Sequence, residues 1–280
     1  MRVRFFGVRG SIPTPGPSTV RYGGNSVCVE VALSDGTRVV LDGGTGIREC
    51  GREIERDGYT GAIHLCITHP HWDHVIGLPF FGPLYSKHAR IILHPMNAAS
   101  RERSRNPIIF DGEHFPVRFS DLPAKIERET ADCEHRIGCA RVTGIDLNHP
   151  GGAIGFRIDD EGDGSSLCYL TDNELNPPGA HVTTPAALAR FAAGASLIIH
   201  DAQYLPEEMP AKRGWGHSTV PQVLELGRSA EARRIVLHHH EPERDDAALD
   251  KIAAFCTDWS KANAPSMEGI VGREGLTIDL

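Results

Sequence analysis

Apolar positions along the chain recur either in short near-continuous runs or at helical spacing, and the two patterns alternate with glycine-rich turns. Strand-like runs occupy 2–8, 26–33 and 37–42, the last two joined by Asp35-Gly36, a pair that favours a hairpin turn. Asp42-Gly43-Gly44-Thr45-Gly46 turns into a helix over about 46–57, a strand follows at 62–67, and a short helix starts near His74. A strand at 90–93 precedes a helix expected over 96–105, while 106–138 mixes prolines, charges and aromatics without a readable period. Strands are expected again at 140–147, 153–158 and 166–171, with Gly151-Gly152 between the first two. The remainder reads helix 183–193, strand 196–200, helix 218–230, strand 233–238, helix 246–262 and strands 268–272 and 275–279. Two strand-rich halves, each followed by helices, predict an α/β fold: two mixed sheets face to face with helices outside, a four-layer αββα sandwich. No linker or low-complexity tract interrupts the pattern, so residues 1–280 read as a single domain.

Composition narrows the class. With 280 residues, 40% hydrophobic and 24% charged, the chain is ordinary for a globular protein large enough to need no covalent staples. No apolar run approaches the roughly 18 residues of a membrane span, and Met1–Gly7 reads as a strand instead of a leader. Seven cysteines, an odd number without a CxxC pair, several within apolar runs, fit a reducing compartment. A cytoplasmic protein without membrane partners is therefore expected. The net charge of −8 offers no general attraction for a polyanion, although Arg101, Arg103 and Arg105 form a local basic patch whose simplest reading is a solvated helix face.

The chemistry concentrates in Thr68-His69-Pro70-His71-Trp72-Asp73-His74, which sets three imidazoles and a carboxylate directly after a strand. Imidazole is the commonest transition-metal ligand near neutrality, and mixed His/Asp sets suit zinc, iron or manganese. Histidines at i and i+2 in a loop can reach one metal while the following Asp-His serves a neighbour.

The His-x-His-x-Asp-His pattern of His69, His71, Asp73 and His74 resembles the signature of the metallo-β-lactamase superfamily. The resemblance implies a dinuclear site, most simply two zinc ions with manganese or iron as alternatives. It assigns His149, after the strand ending at Leu147, as the third ligand of the first metal, and Asp172 as the carboxylate shared by both. His239 is the implied last ligand of the second metal, with His238 and His240 as flanking alternatives. Asp42 would anchor a ligand histidine, while His64, His88, His94, His114, His135 and His181 stay outside the site and His200 is left open.

Within the superfamily, Phe5-Phe6-Gly7-Val8-Arg9-Gly10-Ser11-Ile12-Pro13 and Gly23-Gly24-Asn25-Ser26 resemble the RNase Z-like and cyclic phosphodiesterase branch. Gly214-Trp215-Gly216-His217-Ser218-Thr219 is similar to that branch's Gly-His-Ser-Thr element, which places a histidine that binds no metal over the site. Asp201 is similar to the acidic residue that orients it, and Ser218 or Thr219 also suits a helix N-cap. The implied activity is metal-dependent hydrolysis of a small (cyclic) phosphodiester by a hydroxide shared between the metals, with Asp73 and His217 as the catalytic groups and Asp73 also a ligand. Hydrolysis of a lactone, thioester or β-lactam, or tRNA 3′-end processing, are the alternatives. Nucleic acid is the less favoured substrate, since the charge is acidic and no long glycine- and basic-rich arm is found. A homodimer is what the resemblance implies for assembly.

Overall fold

Successive side chains of a strand point to opposite faces, so each strand can turn one face to the centre of the molecule and the other to a helical layer. The structure is a computed structural model describing residues 1–94, 110, 112–129 and 134–280. The strands are β1 (Arg2–Gly7), β2 (Cys28–Ala32), β3 (Arg38–Leu41), β4 (Ala62–Cys66), β5 (Arg90–His94), β6 (Lys125–Arg128), β7 (Glu134–Ile137), β8 (Ala140–Leu147), β9 (Ala153–Asp160), β10 (Ser166–Leu170), β11 (Leu197–Asp201), β12 (Arg234–His238), β13 (Glu268–Val271) and β14 (Thr277–Asp279). They form two seven-stranded sheets, ordered β14-β1-β2-β3-β4-β5-β6 and β13-β12-β11-β10-β9-β8-β7. Within them β3 to β6 run parallel, as do β10 to β13.

Between the sheets, Val29, Val31, Val39 and Leu41 meet Leu167, Tyr169, Leu197, Ile199 and Val236 in one buried cluster. Their alternates face outward. Val40, Ile63, Leu65 and Ile91 lie beneath helix α1 (Ile47–Arg56), whose Ile47, Cys50 and Ile54 form a single stripe at spacings of three and four. A short helix α2 (Trp72–Val75) follows β4. On the far side, α3 (Pro185–Phe191), α5 (Val220–Ser229) and α6 (Asp246–Asn263) cover Ile198, Ile235 and Leu237 through Leu188, Val223, Leu224, Leu249 and Cys256. The short α4 (Met209–Lys212) lies between β11 and α5. The expected αββα sandwich is the observed fold.

Three expectations need adjusting. Helix α3 begins at Pro185 instead of 183, because Thr184 caps it by accepting the Ala187 N–H and a proline at the first position cannot extend it backward. Two strands, β6 and β7, occupy the stretch that had no readable period. Both are sheet edges with partly exposed, charge-bearing residues, so nothing forces an apolar alternation there. Strand β9 continues to Asp160 because it stays in register with β8 as far as Ala140. The expected helix at 96–105 and the Arg101, Arg103 and Arg105 patch lie outside the described residues. No helix among the described residues is long and apolar enough to cross a membrane.

Candidate metal centre

Parallel strands end on the same side, so the residues that follow them converge. The loop after β4 carries Thr68 to His71, and α2 carries Asp73 and His74. His149 follows β8, Asp172 follows β10, Asp201 closes β11, and His239 follows β12. All seven residues expected to bind metal meet at this end of the sandwich.

Two donor sets result. His69, His71 and His149 form one, with His71 Nδ1 3.0 Å from His149 Nε2. Asp73, His74, Asp172 and His239 form the other, with His239 Nε2 3.0 Å from Asp73 Oδ2. Asp172 lies between them. Its Oδ1 is 3.1 Å from His239 Nε2, while its Oδ2 is 3.4 Å from His74 Nε2, 3.7 Å from His69 Nε2 and 3.9 Å from His149 Nε2. Of the three adjacent histidines, His238 Nε2 donates to the Gly7 carbonyl and His240 Nε2 to the Gly272 carbonyl, while His239 turns toward the carboxylates.

The donor chemistry fits a divalent ion. The Nε2 atoms of His69 and His74 are buried without a hydrogen-bond partner, and each faces Asp172. An unmet buried polar atom costs about 1–3 kcal/mol, so a pair of them at one point calls for a ligand. Burial, with its imidazole neighbours, drives the His69 pKa far down, and burial takes His149 to about 4, which leaves both rings neutral and able to coordinate. Although burial opposes ionisation of Asp73 and Asp172, the surrounding histidines hold both well below the usual carboxylate range.

A shell of hydrogen bonds fixes these rings. His74 Nδ1 donates to Asp42 Oδ2 at 2.9 Å, Tyr169 donates to the same oxygen across the sandwich at 2.9 Å, and the Thr68 N–H meets Asp42 Oδ1 at 2.7 Å. Asp42 therefore anchors His74, one of the expected ligands. Gln203 Oε1 accepts from His239 Nδ1 at 2.9 Å, and the Ser11 N–H donates to Asp73 Oδ2 at 2.8 Å. Thr68, Gln203, Ser11 and Tyr169 carried no signal of this role in the sequence, since each is an ordinary residue whose position depends on the fold.

Backbone strain gathers at the same place. Of four non-glycine residues with positive φ among the described residues, Ser11 (62°), Asp42 (61°) and His239 (59°) belong to this shell. Close packing explains two glycines: a Cβ on Gly10 would sit 2.3 Å from His239 Nδ1, and one on Gly216 would sit 2.1 Å from His149 Nδ1.

His217 is buried beside the centre. Its ring stacks on His239 at 4.9 Å, and its Nδ1 donates to Asp201 Oδ2 at 2.8 Å. Burial disfavours the imidazolium, but Asp201, then Asp172 and Asp73, outweigh it and raise the pKa to about 9. The sequence expectation that Asp201 orients His217 matches this contact. His217, Asp201, Asp172 and His239 also form a third possible donor group, overlapping the second. The remaining histidines stay apart. His64 Nδ1 is 2.9 Å from His94 Nε2, His94 stacks on His135, and His200 is tied to Asn173 and the Asp201 carbonyl. Asn25 and Ser26 bond Glu274 and Thr45 instead of the donor sets.

Residues 37–240, which span every donor, match the family model described as a beta-lactamase superfamily domain. The chain belongs to the metallo-β-lactamase superfamily. Among curated members of related sequence, it is 25% identical to Ribonuclease Z of Haloferax volcanii over 290 aligned residues, covering 85% of this chain and 84% of the relative. It is 22% identical to Ribonuclease BN of Salmonella gallinarum over 260 residues, covering 76% and 84%. The short form of human tRNase Z shares the superfamily fold with a TM-score of 0.65 at 20% identity, covering 100% and 99% of the two chains. The metallo-beta-lactamase fold protein YhfI from Bacillus subtilis gives 0.70 at 14%, covering 99% and 98%. Family and donor chemistry agree on a metal-dependent hydrolase of this superfamily.

Proposed function

We propose that this protein is a phosphodiesterase that hydrolyses a small phosphodiester, cyclic or linear, with two divalent cations, zinc in the first instance. His69, His71 and His149 would hold one ion, Asp73, His74 and His239 the other, and Asp172 both. Bound there, the ions supply positive charge for the phosphoryl oxygens and activate water by lowering its pKa toward about 7. The observation that carries the reading is the His217–Asp201 pair, 2.8 Å apart, set against a centre whose donors flank Asp172 on both sides.

Each step left to the protein follows from its side chains. Asp73 Oδ2 accepts the Ser11 N–H and faces the donors of the second ion, which leaves Oδ1 to accept a proton from the attacking water. His217 has Nδ1 engaged by Asp201, so Nε2 is the atom that meets substrate and protonates the departing alkoxide. Asp201 keeps that ring charged and turned toward the centre.

A second reading, tRNA 3′-end processing, is favoured by the relatives named Ribonuclease Z and Ribonuclease BN. The acidic net charge of −8 weighs against a polyanionic substrate. The test is a panel of 3′,5′- and 2′,3′-cyclic nucleotides, bis(p-nitrophenyl) phosphate, a tRNA precursor and a lactone, with metals quantified in the same preparation. Small diesters are expected to turn over with the highest kcat/KM. A tRNA precursor exceeding them by tenfold or more, or a preference for the lactone, would replace the reading.

A further inference from the structure

Eight large hydrophobic residues stand exposed among the described residues, and four of them border the donor shell. Ile12 follows Ser11, which donates to Asp73. Trp72 sits between His71 and Asp73. The Val182 N–H bonds the side chain of Asn148, next to His149. Trp215 precedes Gly216, whose carbonyl accepts from His149 Nδ1 at 3.0 Å. Exposed apolar side chains that flank a polar centre are candidates for contact with a substrate.

Trp215 is held most deliberately. Both neighbours are glycines with positive φ, 88° at Gly214 and 91° at Gly216, a conformation that other residues adopt only under strain. The buried Glu174 carboxylate accepts the N–H groups of Gly214 and Gly216, at 3.0 Å each, and the Glu174 N–H in turn bonds the Asn148 carbonyl. Lys212 Nζ lies 4.2 Å from the indole centroid, yet Trp215 stays 57% exposed. The loop is thus rigid, its tryptophan is oriented by a cation on one face, and it adjoins the histidine set that would hold one ion.

Resting on the phosphodiesterase reading, we propose that Trp215 is a specificity-determining residue: its open face stacks against a planar ring carried by the substrate, while Lys212 adds positive charge beside the phosphate. The substrate class is then a nucleotide or an aryl phosphodiester instead of an alkyl or sugar diester. An aromatic face contributes about 5- to 150-fold per base stacked, and a nearby cation strengthens the contact.

Binding tests this without turnover, so it stays legible whether or not diester hydrolysis is found. The chain has three tryptophans, Trp72, Trp215 and Trp259, and the Trp72→Phe/Trp259→Phe variant leaves Trp215 as the sole reporter. Titrated into the metal-loaded protein, AMP should quench its emission, whereas ribose 5-phosphate, the same phosphate ester without the base, should not. By calorimetry AMP should bind at least about fivefold tighter than ribose 5-phosphate. Trp215→Ala should erase that preference and leave ribose 5-phosphate binding unchanged, and Trp215→Phe should restore most of it. Equal affinities in the unaltered protein, absence of AMP binding, or a preference that survives Trp215→Ala would overturn the proposal.

Discussion

Asp172→Ala is expected to lower kcat/KM for bis(p-nitrophenyl) phosphate by at least about three orders of magnitude, the scale of losing a metal cofactor's contribution to hydrolysis. The size follows from position. Asp172 is buried, and its two oxygens lie within 3.1–3.9 Å of nitrogens on His239, His74, His69 and His149. Asp172 is a carboxylate that faces nitrogens of both donor sets, so its loss removes the anion that offsets positive charge in each. Asp172→Asn separates charge from shape: it keeps the volume while withdrawing the negative charge, and it should fail nearly as badly. Initial rates, metal content and circular dichroism on the same samples decide the matter. An Asp172→Asn protein with more than about a tenth of normal activity would place the shared carboxylate elsewhere.

His217→Ala should behave differently, leaving metal content near normal and acting on turnover. A general acid contributes about 10²–10⁴-fold, but only where the leaving group needs the proton. For a cyclic nucleotide, whose leaving oxygen is an alkoxide, kcat should fall by about 10²-fold or more. For bis(p-nitrophenyl) phosphate, whose phenolate departs readily without a proton, the loss should be about tenfold or less. The ratio of the two losses is the diagnostic. Equal losses would make His217 a binder of phosphoryl oxygens. Loss of metal would instead make it a ligand, through the group it forms with Asp201, Asp172 and His239.

The seven candidate donors could be named from sequence because metal ligands must be particular residue types, and the family resemblance says after which strands to look for them. Thr171-Asp172 after a fully buried strand and Asn148-His149 after β8 stand out on that basis. Choosing among His238, His239 and His240 required the fold, since three adjacent histidines leave the choice of ring open, and the carbonyls of Gly7 and Gly272 that occupy the outer two are remote in sequence. Gln203, Ser11 and Glu174 were invisible for a similar reason: a glutamine, a serine or a glutamate in a loop has many uses until its partner is known. The stretch around β6 and β7 resisted because edge strands of four residues bearing charges lack the alternation that betrays a buried sheet.

The proposed chemistry requires the donors around Asp172 to hold two cations. Anomalous diffraction from crystals of the protein grown with manganese or zinc measures this directly. Two peaks are predicted, one within coordinating distance of His69, His71 and His149, the other of Asp73, His74 and His239, with Asp172 touching both. Crystals containing the ion in solution but showing no anomalous density at these side chains would contradict it.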